Sequence, residues 1–275
     1  MLVIDDNAMN QQVARELLVL EGAHVCVADG GALGLSMAEA AVPPFDAILL
    51  DIQMPDMDGY ACARAMRASD RLKLTPIVAM TANAMAHERE ACLAAGMNAH
   101  MSKPVDIDTM VNVLQAHCRT TAARAVPAPT RAAPAAPRSV SPVRSAIELA
   151  PALKRLGGNE ALFVALSRTF SGEAARFMAA LQVTLPGPDA IESANLLHTF
   201  RSAAGMMGAT ALQDYAAQLE QRLRNQSATG DAAIILAEMA QLVMASTSEL
   251  EQIATSLSGS IASSAQQRPA LPPDR

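Results

Sequence analysis

Apolar residues in the first 119 positions follow two alternating patterns. Nearly continuous runs at 2–5, 24–28, 47–50, 77–80 and 99–101 predict strands. Between them apolar positions recur every three or four residues. Val13, Leu17 and Leu20 share one helical face, and the pattern stops at Gly22, a residue suited to ending a helix. Further helices are predicted over roughly 32–40, 60–69, 84–95 and 106–118, the third of these stopping at Gly96. Strands and helices that alternate this way predict an α/β doubly wound fold, with a five-stranded parallel sheet covered on both faces.

Beyond position 147 only the helical period persists. A short helix is predicted near 151–156 and long ones over 160–185, 190–208, 211–227 and 232–257. Pro186-Gly187-Pro188, Gly208-Ala209-Thr210 and Thr229-Gly230 separate the long helices, and Asp189 with Glu192 and Thr210 with Gln213 stand at capping-box spacing. Four long amphipathic helices with short connections predict an all-α antiparallel four-helix bundle over 147–257. Between the two modules, 120–146 is rich in Pro, Ala and Arg and free of acids, which predicts a flexible linker. The Ser/Ala/Gln/Pro-rich stretch 258–275 is expected to be a disordered tail.

Composition narrows the function. The chain has 275 residues, 51% of them hydrophobic and only 3% aromatic, with no Trp and sixteen Met, so aliphatic side chains must fill its cores. An aromatic groove for sugars or single-stranded nucleic acid is disfavoured. The net charge of −6 divides into −7 for residues 1–119, +4 through position 147 and −3 for the remainder, a poor footprint for nucleic acid. Cys26, Cys62, Cys92 and Cys118 lie far apart, without zinc or haem spacing, and are expected to be small buried thiols. Acidic residues follow Met1-Leu2-Val3-Ile4 at once and no uncharged apolar run is long enough to cross a bilayer, so the expectation is a cytoplasmic chain without a membrane segment.

In an open parallel sheet, functional groups gather beyond the carboxyl ends of the strands. Here those ends carry Asp5 and Asp6, Asp51, Thr81, and the run Ser102-Lys103-Pro104. Three carboxylates converge with a hydroxyl and an ammonium. Carboxylates so close raise one another's pKa unless a cation intervenes, and an oxygen-only donor set selects a hard ion such as Mg²⁺. Asp56, Asp58 and Gly59 imitate part of a calcium loop, but the terminal bidentate Glu is missing.

Val3-Ile4-Asp5-Asp6-Asn7, Leu50-Asp51-Ile52-Gln53-Met54-Pro55-Asp56-Met57-Asp58-Gly59, Met80-Thr81-Ala82 and Ser102-Lys103-Pro104 together resemble the receiver domain of two-component response regulators, a flavodoxin-like fold, over nearly all of 1–119. The resemblance implies that Asp51 accepts the phosphoryl group and that Asp5, Asp6 and Asp51, with the Gln53 carbonyl, hold Mg²⁺. It further implies that Thr81 senses the phosphoryl group, Lys103 pairs with it, and the Lys103-Pro104 bond is cis. His100 stands where the family commonly has Tyr or Phe. Gln53 and Asn83 are expected near enough to the phosphoryl group to influence water access.

In the second module a helical wheel sets Leu196, Phe200, Ala203 and Met207 opposite His198, which predicts a solvent-facing imidazole among Ala194, Asn195, Arg201, Ser202 and Gly205. An exposed imidazole beside a guanidinium and small side chains suits a phosphoryl carrier, with Arg201 steadying the phosphate. The run from Leu197 to Ala209, preceded by Leu156-Gly157-Gly158-Asn159-Glu160, is similar to histidine-containing phosphotransfer (HPt) domains, with Arg201 for the usual Lys and Ser202 for the usual Gly.

The two resemblances imply a phosphorelay protein like the C-terminal part of a hybrid sensor histidine kinase, and the start directly on strand one leaves an upstream kinase part to be expected. They imply a sensor histidine kinase as upstream donor and a receiver domain or response regulator downstream. No G-x-x-x-x-G-K-[ST] run is present, so autophosphorylation from ATP is not expected. The alternative is a response regulator whose helical part is a phosphorylation-gated protein-binding or DNA-binding output. Small-molecule phosphatase action is disfavoured, because Gln53 replaces a second carboxylate two residues after Asp51.

Overall fold

A computed structural model describes residues 1–81, 86–118, 145–185, 190–225 and 231–266, apart from the side chains of 86, 87 and 262–266. Most of the expected linker, Asn83, Asp189 and the last nine residues of the expected tail lie outside the described residues.

The first module is a five-stranded parallel sheet of β1 (Leu2–Asp5), β2 (Cys26–Asp29), β3 (Ile48–Asp51), β4 (Ile77–Thr81) and β5 (Ala99–Ser102), in the order β2-β1-β3-β4-β5. The strands alternate with α1 (Ala8–Leu20), α2 (Gly31–Ala40), α3 (Gly59–Ala68), α4 (Ala86–Ala94) and α5 (Ile107–His117). β1, β3 and β4 are buried throughout, which explains their unbroken apolar runs: central parallel strands have helices on both faces. Odd-numbered β1 positions such as Val3 join Leu49 and Val78 beneath α1 and α5, while Leu2, Ile4, Ile48 and Leu50 face the α2–α3 side. Side-chain caps start three helices: Asn7 for α1, Asp58 for α3 and Asp106 for α5. Asp58, one of the calcium-loop mimics, is therefore occupied in accepting a bond from the Ala61 amide. The peptide bonds Lys103-Pro104 and Val42-Pro43 are cis.

The cysteines divide, contrary to expectation. Cys62 and Cys92 are buried, whereas Cys118 is half-buried and Cys26 is exposed on the edge strand β2.

The second module comprises a short α6 (Leu149–Arg155) and four long helices, α7 (Glu160–Thr184), α8 (Ala190–Met206), α9 (Thr210–Arg224) and α10 (Ala232–Gln266). Its described structure begins before 147. The Ser145 hydroxyl and the Ala146 amide both donate to Glu249, and Ile147 is buried. α10 overruns the expected bundle end at 257, because its Ser- and Ala-rich final turns contain no proline to stop them. Thr210 and Gln213 make no capping box: Ala209 is the N-cap of α9, and the end of the Gln213 side chain faces Gly205 instead.

Phe200 on α8 stacks on Phe177 at 4.0 Å between ring centroids and on Phe170 of the same helix α7 at 5.6 Å, anchoring the bundle core. Within α10, Ala232–Ile261 has the length and mean hydropathy (1.3) to cross a membrane once a few acids are admitted. In this fold the helix lies against α7 and α9, with Met239, Val243, Leu250 and Ala254 buried.

The outer face of α1 packs against α7 and α8, so one continuous apolar cluster runs from Met9 and Val13 of the first module to Phe163, Leu166 and Met206 of the second.

Candidate functional site

Parallel register brings the charged strand ends together. Asp5 closes β1, Asp51 closes β3, and Thr81 pairs with Ser102 at the end of β4 and β5, so Lys103 emerges beside them. The Lys103 amide donates to the Thr81 carbonyl at 2.6 Å, which ties the lysine backbone to β4. Its ammonium sits 2.7 Å from Asp5 Oδ2 and 2.7 Å from Asp51 Oδ2. Asp5, Asp51 and Thr81 are buried, and Asp6 is half-buried at the rim.

One ammonium serves three carboxylates here. Burial raises the Asp51 carboxyl above its ordinary value, and the neighbouring charge of Asp5 adds to the effect while Lys103 opposes it. Burial, with Asp5 again, pushes Asp6 up to about 6. Burial alone would lower Lys103, but the charges of Asp5 and Asp51 override it and raise the ammonium, which stays protonated. The pocket therefore has surplus negative charge. Carboxylate oxygens of Asp5, Asp6 and Asp51 all lie within 4.8 Å of one another, a donor set that fits a small hard divalent cation.

Backbone geometry holds Asp51 in place. The Gln53 amide lies 3.4 Å from Asp51 Oδ1, and the Gly59 amide donates to Ile52 at 2.9 Å. A side chain at Gly59 would collide with the carbonyl of Asp51, so the loop leaving β3 closes tightly only with glycine there. Asn10 Nδ2 and the Asn7 amide both donate to Asp5 Oδ1, completing the shell around that carboxylate.

The second site departs from expectation. His198 is only 8% exposed, not solvent-facing. A single wheel assumes one buried face, but α8 is a central helix on which Ala194, Leu197, Ser202, Ala204 and Gly205 are also buried. His198 Nδ1 lies 2.9 Å from Glu220 Oε1 on α9. Arg201 Nη1 is 3.1 Å from the other Glu220 oxygen, and Arg224 Nε is 3.0 Å from the first. Burial would raise the Glu220 carboxyl, but the hydrogen bond and charge of His198 and the two guanidinium groups hold it below the usual 4.5. An ionised carboxylate can only accept, so Nδ1 is the donor to Glu220, and in the neutral form of the ring the lone pair is on Nε2.

Glu220 was not evident from the sequence. It lies twenty-two residues from His198, within an ordinary charged helix face. The one available signal was its i, i+4 spacing to Arg224.

Comparison with known proteins agrees with both halves. The response regulator receiver domain matches residues 1–115, and the Hpt domain matches residues 165–254. The signal transduction histidine-protein kinase BarA of Shigella flexneri is 37% identical over 113 residues, which cover 41% of this chain and 12% of that protein. The match thus spans about an eighth of the length of that kinase. A 14.6 kDa protein of Leptolyngbya boryana is 33% identical over 117 residues, covering 42% of this chain and 88% of that one. Among solved structures, the receiver domain of sensor histidine kinase PA1611 from Pseudomonas aeruginosa PAO1, which has a magnesium ion in its active-site cleft, is 37% identical. It covers 42% of this chain and 93% of its own, with a TM-score of 0.39. With an Hpt match over most of the helical module, a DNA-binding or gated output module is not favoured there. The chain belongs to the response regulator receiver family through its first module and joins that module to an Hpt domain in its second.

Proposed function

We propose that this chain is a phosphorelay intermediate in which Asp51 and His198 each carry a phosphoryl group. The observation that carries this reading is the buried Asp51 carboxylate, held at 2.7 Å by an ammonium that Asp5 shares. Transfer to a carboxylate requires charge neutralisation and in-line access more than a strong base. Lys103 supplies a fixed positive charge where the phosphoryl oxygens of an acyl phosphate gather charge, and Thr81 stands at the same strand end to contact them.

Asp5, Asp6 and Asp51, with the Gln53 carbonyl, are the groups that would hold Mg²⁺. Such an ion supplies the neutralising charge that lets the phosphate and the carboxylates share one pocket.

For exchange between the two sites, the Nε2 lone pair of His198 forms an N–P bond as the O–P bond of the Asp51 acyl phosphate breaks, returning its electron pair to the carboxylate. Nδ1 keeps its proton and the ring gains positive charge. Glu220, 2.9 Å away, faces that charge. Arg201 is paired with Glu220, so its action on the phosphate runs through the same cluster. A sensor histidine kinase carrying phosphohistidine is the expected upstream donor and a receiver domain or response regulator the expected downstream acceptor, with the chain acting in the cytoplasm.

The test is labelling of the chain with a small-molecule phosphodonor and Mg²⁺, comparing wild type, Asp51→Asn and His198→Gln. Alkali-stable, acid-labile label that either substitution abolishes is the expected result. Label that survives both substitutions would overturn the reading.

A further inference from the structure

A cleft of about 620 Å³ lies between α7 and α10. Its size falls within the roughly 300–1,000 Å³ of small-molecule sites. The cleft exists because the residues facing it are small. Leu250 of α10 is buried in the bundle core, but one and two turns along the same stripe stand Ala254 and Ser258, which face Ser167 and Ser171 of α7 across the opening. Large aliphatic side chains at these positions would close it.

The hydroxyl groups of the lining are chemically one-sided. Ser167 donates to the Phe163 carbonyl at 2.8 Å and Ser171 to the Ser167 carbonyl at 3.2 Å. On α10, Thr255 donates to the Glu251 carbonyl at 2.8 Å and Ser258 to the Ala254 carbonyl at 2.7 Å. A hydroxyl that has spent its proton in this way offers a ligand only its lone pairs. Ser167 does so from a buried position, 3% exposed. Such a set of acceptors is matched by a group with several N–H donors, an ammonium.

Two opposite charges complete the lining. Arg168 on α7 and Glu251 on α10 are both exposed and line the same cleft. Among the described residues neither enters an ion pair, so the two stand too far apart to neutralise each other. Glu251 shares one wall with Thr255 and Ser258, and Arg168 stands on the other. A ligand that satisfies both walls carries a carboxylate for the guanidinium fork and an ammonium for Glu251 and the hydroxyls.

We propose that the α7–α10 cleft is a binding site for a free α-amino acid. A phosphate would be repelled by Glu251, and the described lining has no aromatic ring on which a nucleobase could stack. None of Asp51, His198 and Glu220 lines the cleft, so the site is separate from both phosphoryl sites and does not depend on the phosphorelay reading.

The test is titration of the isotope-labelled full chain with three compounds, followed through its backbone amide resonances. L-alanine has both charges, L-alanine amide lacks the carboxylate, and N-acetyl-L-alanine lacks the ammonium. L-alanine should shift the amides of Ser167, Arg168 and Thr255 saturably, and each blocked compound should bind at least about tenfold more weakly. Arg168→Gln should weaken L-alanine by a similar factor and leave L-alanine amide unaffected. Glu251→Gln should weaken L-alanine and leave N-acetyl-L-alanine unaffected. Both side chains are exposed, so the melting temperatures of these variants should match wild type. Shifts that never saturate, equal binding of the three compounds, or variants that bind L-alanine as wild type does would each overturn the proposal.

Discussion

Glu220 divides its carboxylate between His198 on one oxygen, at 2.9 Å, and Arg201 on the other, at 3.1 Å. The first contact, a hydrogen bond, selects the tautomer and is the larger influence keeping the carboxylate ionised, and the second, an ion pair, adds to it, so the imidazole is oriented before any partner arrives. Glu220→Gln keeps the shape and removes the charge. Phosphorylation of His198 is expected to slow roughly tenfold or more, while labelling of Asp51 stays unchanged. Rapid-quench labelling of the full chain checks both sites in one experiment.

The same carboxylate makes the bundle acid-sensitive. Its folded pKa lies below the ordinary 4.5, so the unfolded chain binds the proton more readily, and stability is full above about 4.5 and is lost as the pH falls below it. Urea unfolding followed by helical circular dichroism, repeated between pH 6 and 3, should show this fall. In Glu220→Gln the acid limb should be shallower.

The sign is opposite in the receiver. Asp6 is pushed up to about 6, so the folded receiver holds a proton that the unfolded chain has already released, and its stability declines as the pH rises from about 4 to 6. A divalent cation at the three carboxylates cancels that penalty. Thermal melts should therefore show a larger upward shift on adding Mg²⁺ at pH 7 than at pH 5.

Gly59 tests the loop that fixes Asp51. A Cβ there meets the backbone at Asp51 and Ile52, which cannot swing aside, so Gly59→Ala should cost about 1–3 kcal/mol and slow labelling of Asp51. Gly205→Ala is the contrast: its neighbours are the end atoms of the Gln213 side chain, which can move, so denaturant midpoints should change little.

How far these sites could be read from the sequence follows their physical origin. Asp5 and Asp51 are legible because an unbroken apolar run that stops at a charge marks a buried strand and places that charge at its carboxyl end, where a parallel sheet gathers its functional groups, whereas Lys103 follows the mixed run Ala99–Ser102 and is legible from the Ser102-Lys103-Pro104 motif. The sheet itself follows from the alternation of elements. His198 is legible as a position but not in its surroundings. Burial on α8 depends on which helices flank it, and neither Glu220 nor the receiver is near it in the chain. The packing between the two modules is the least legible element. Asn7 and Glu173 are 166 positions apart, and nothing in either local pattern marks them as neighbours.

The acidic pocket has almost no architecture separate from the sheet. Asp5, Asp51 and Lys103 meet because β1, β3, β4 and β5 are aligned as Leu2 to Ile48, Ile48 to Ile77 and Val78 to Ala99. Slipping any one strand by a residue would turn its terminal charge to the opposite face. The pocket is therefore a gauge of alignment across the whole module. A receiver that has lost its strand order cannot keep a weakened version of its chemistry, and phosphoryl capacity should vanish in step with cooperative melting of the sheet.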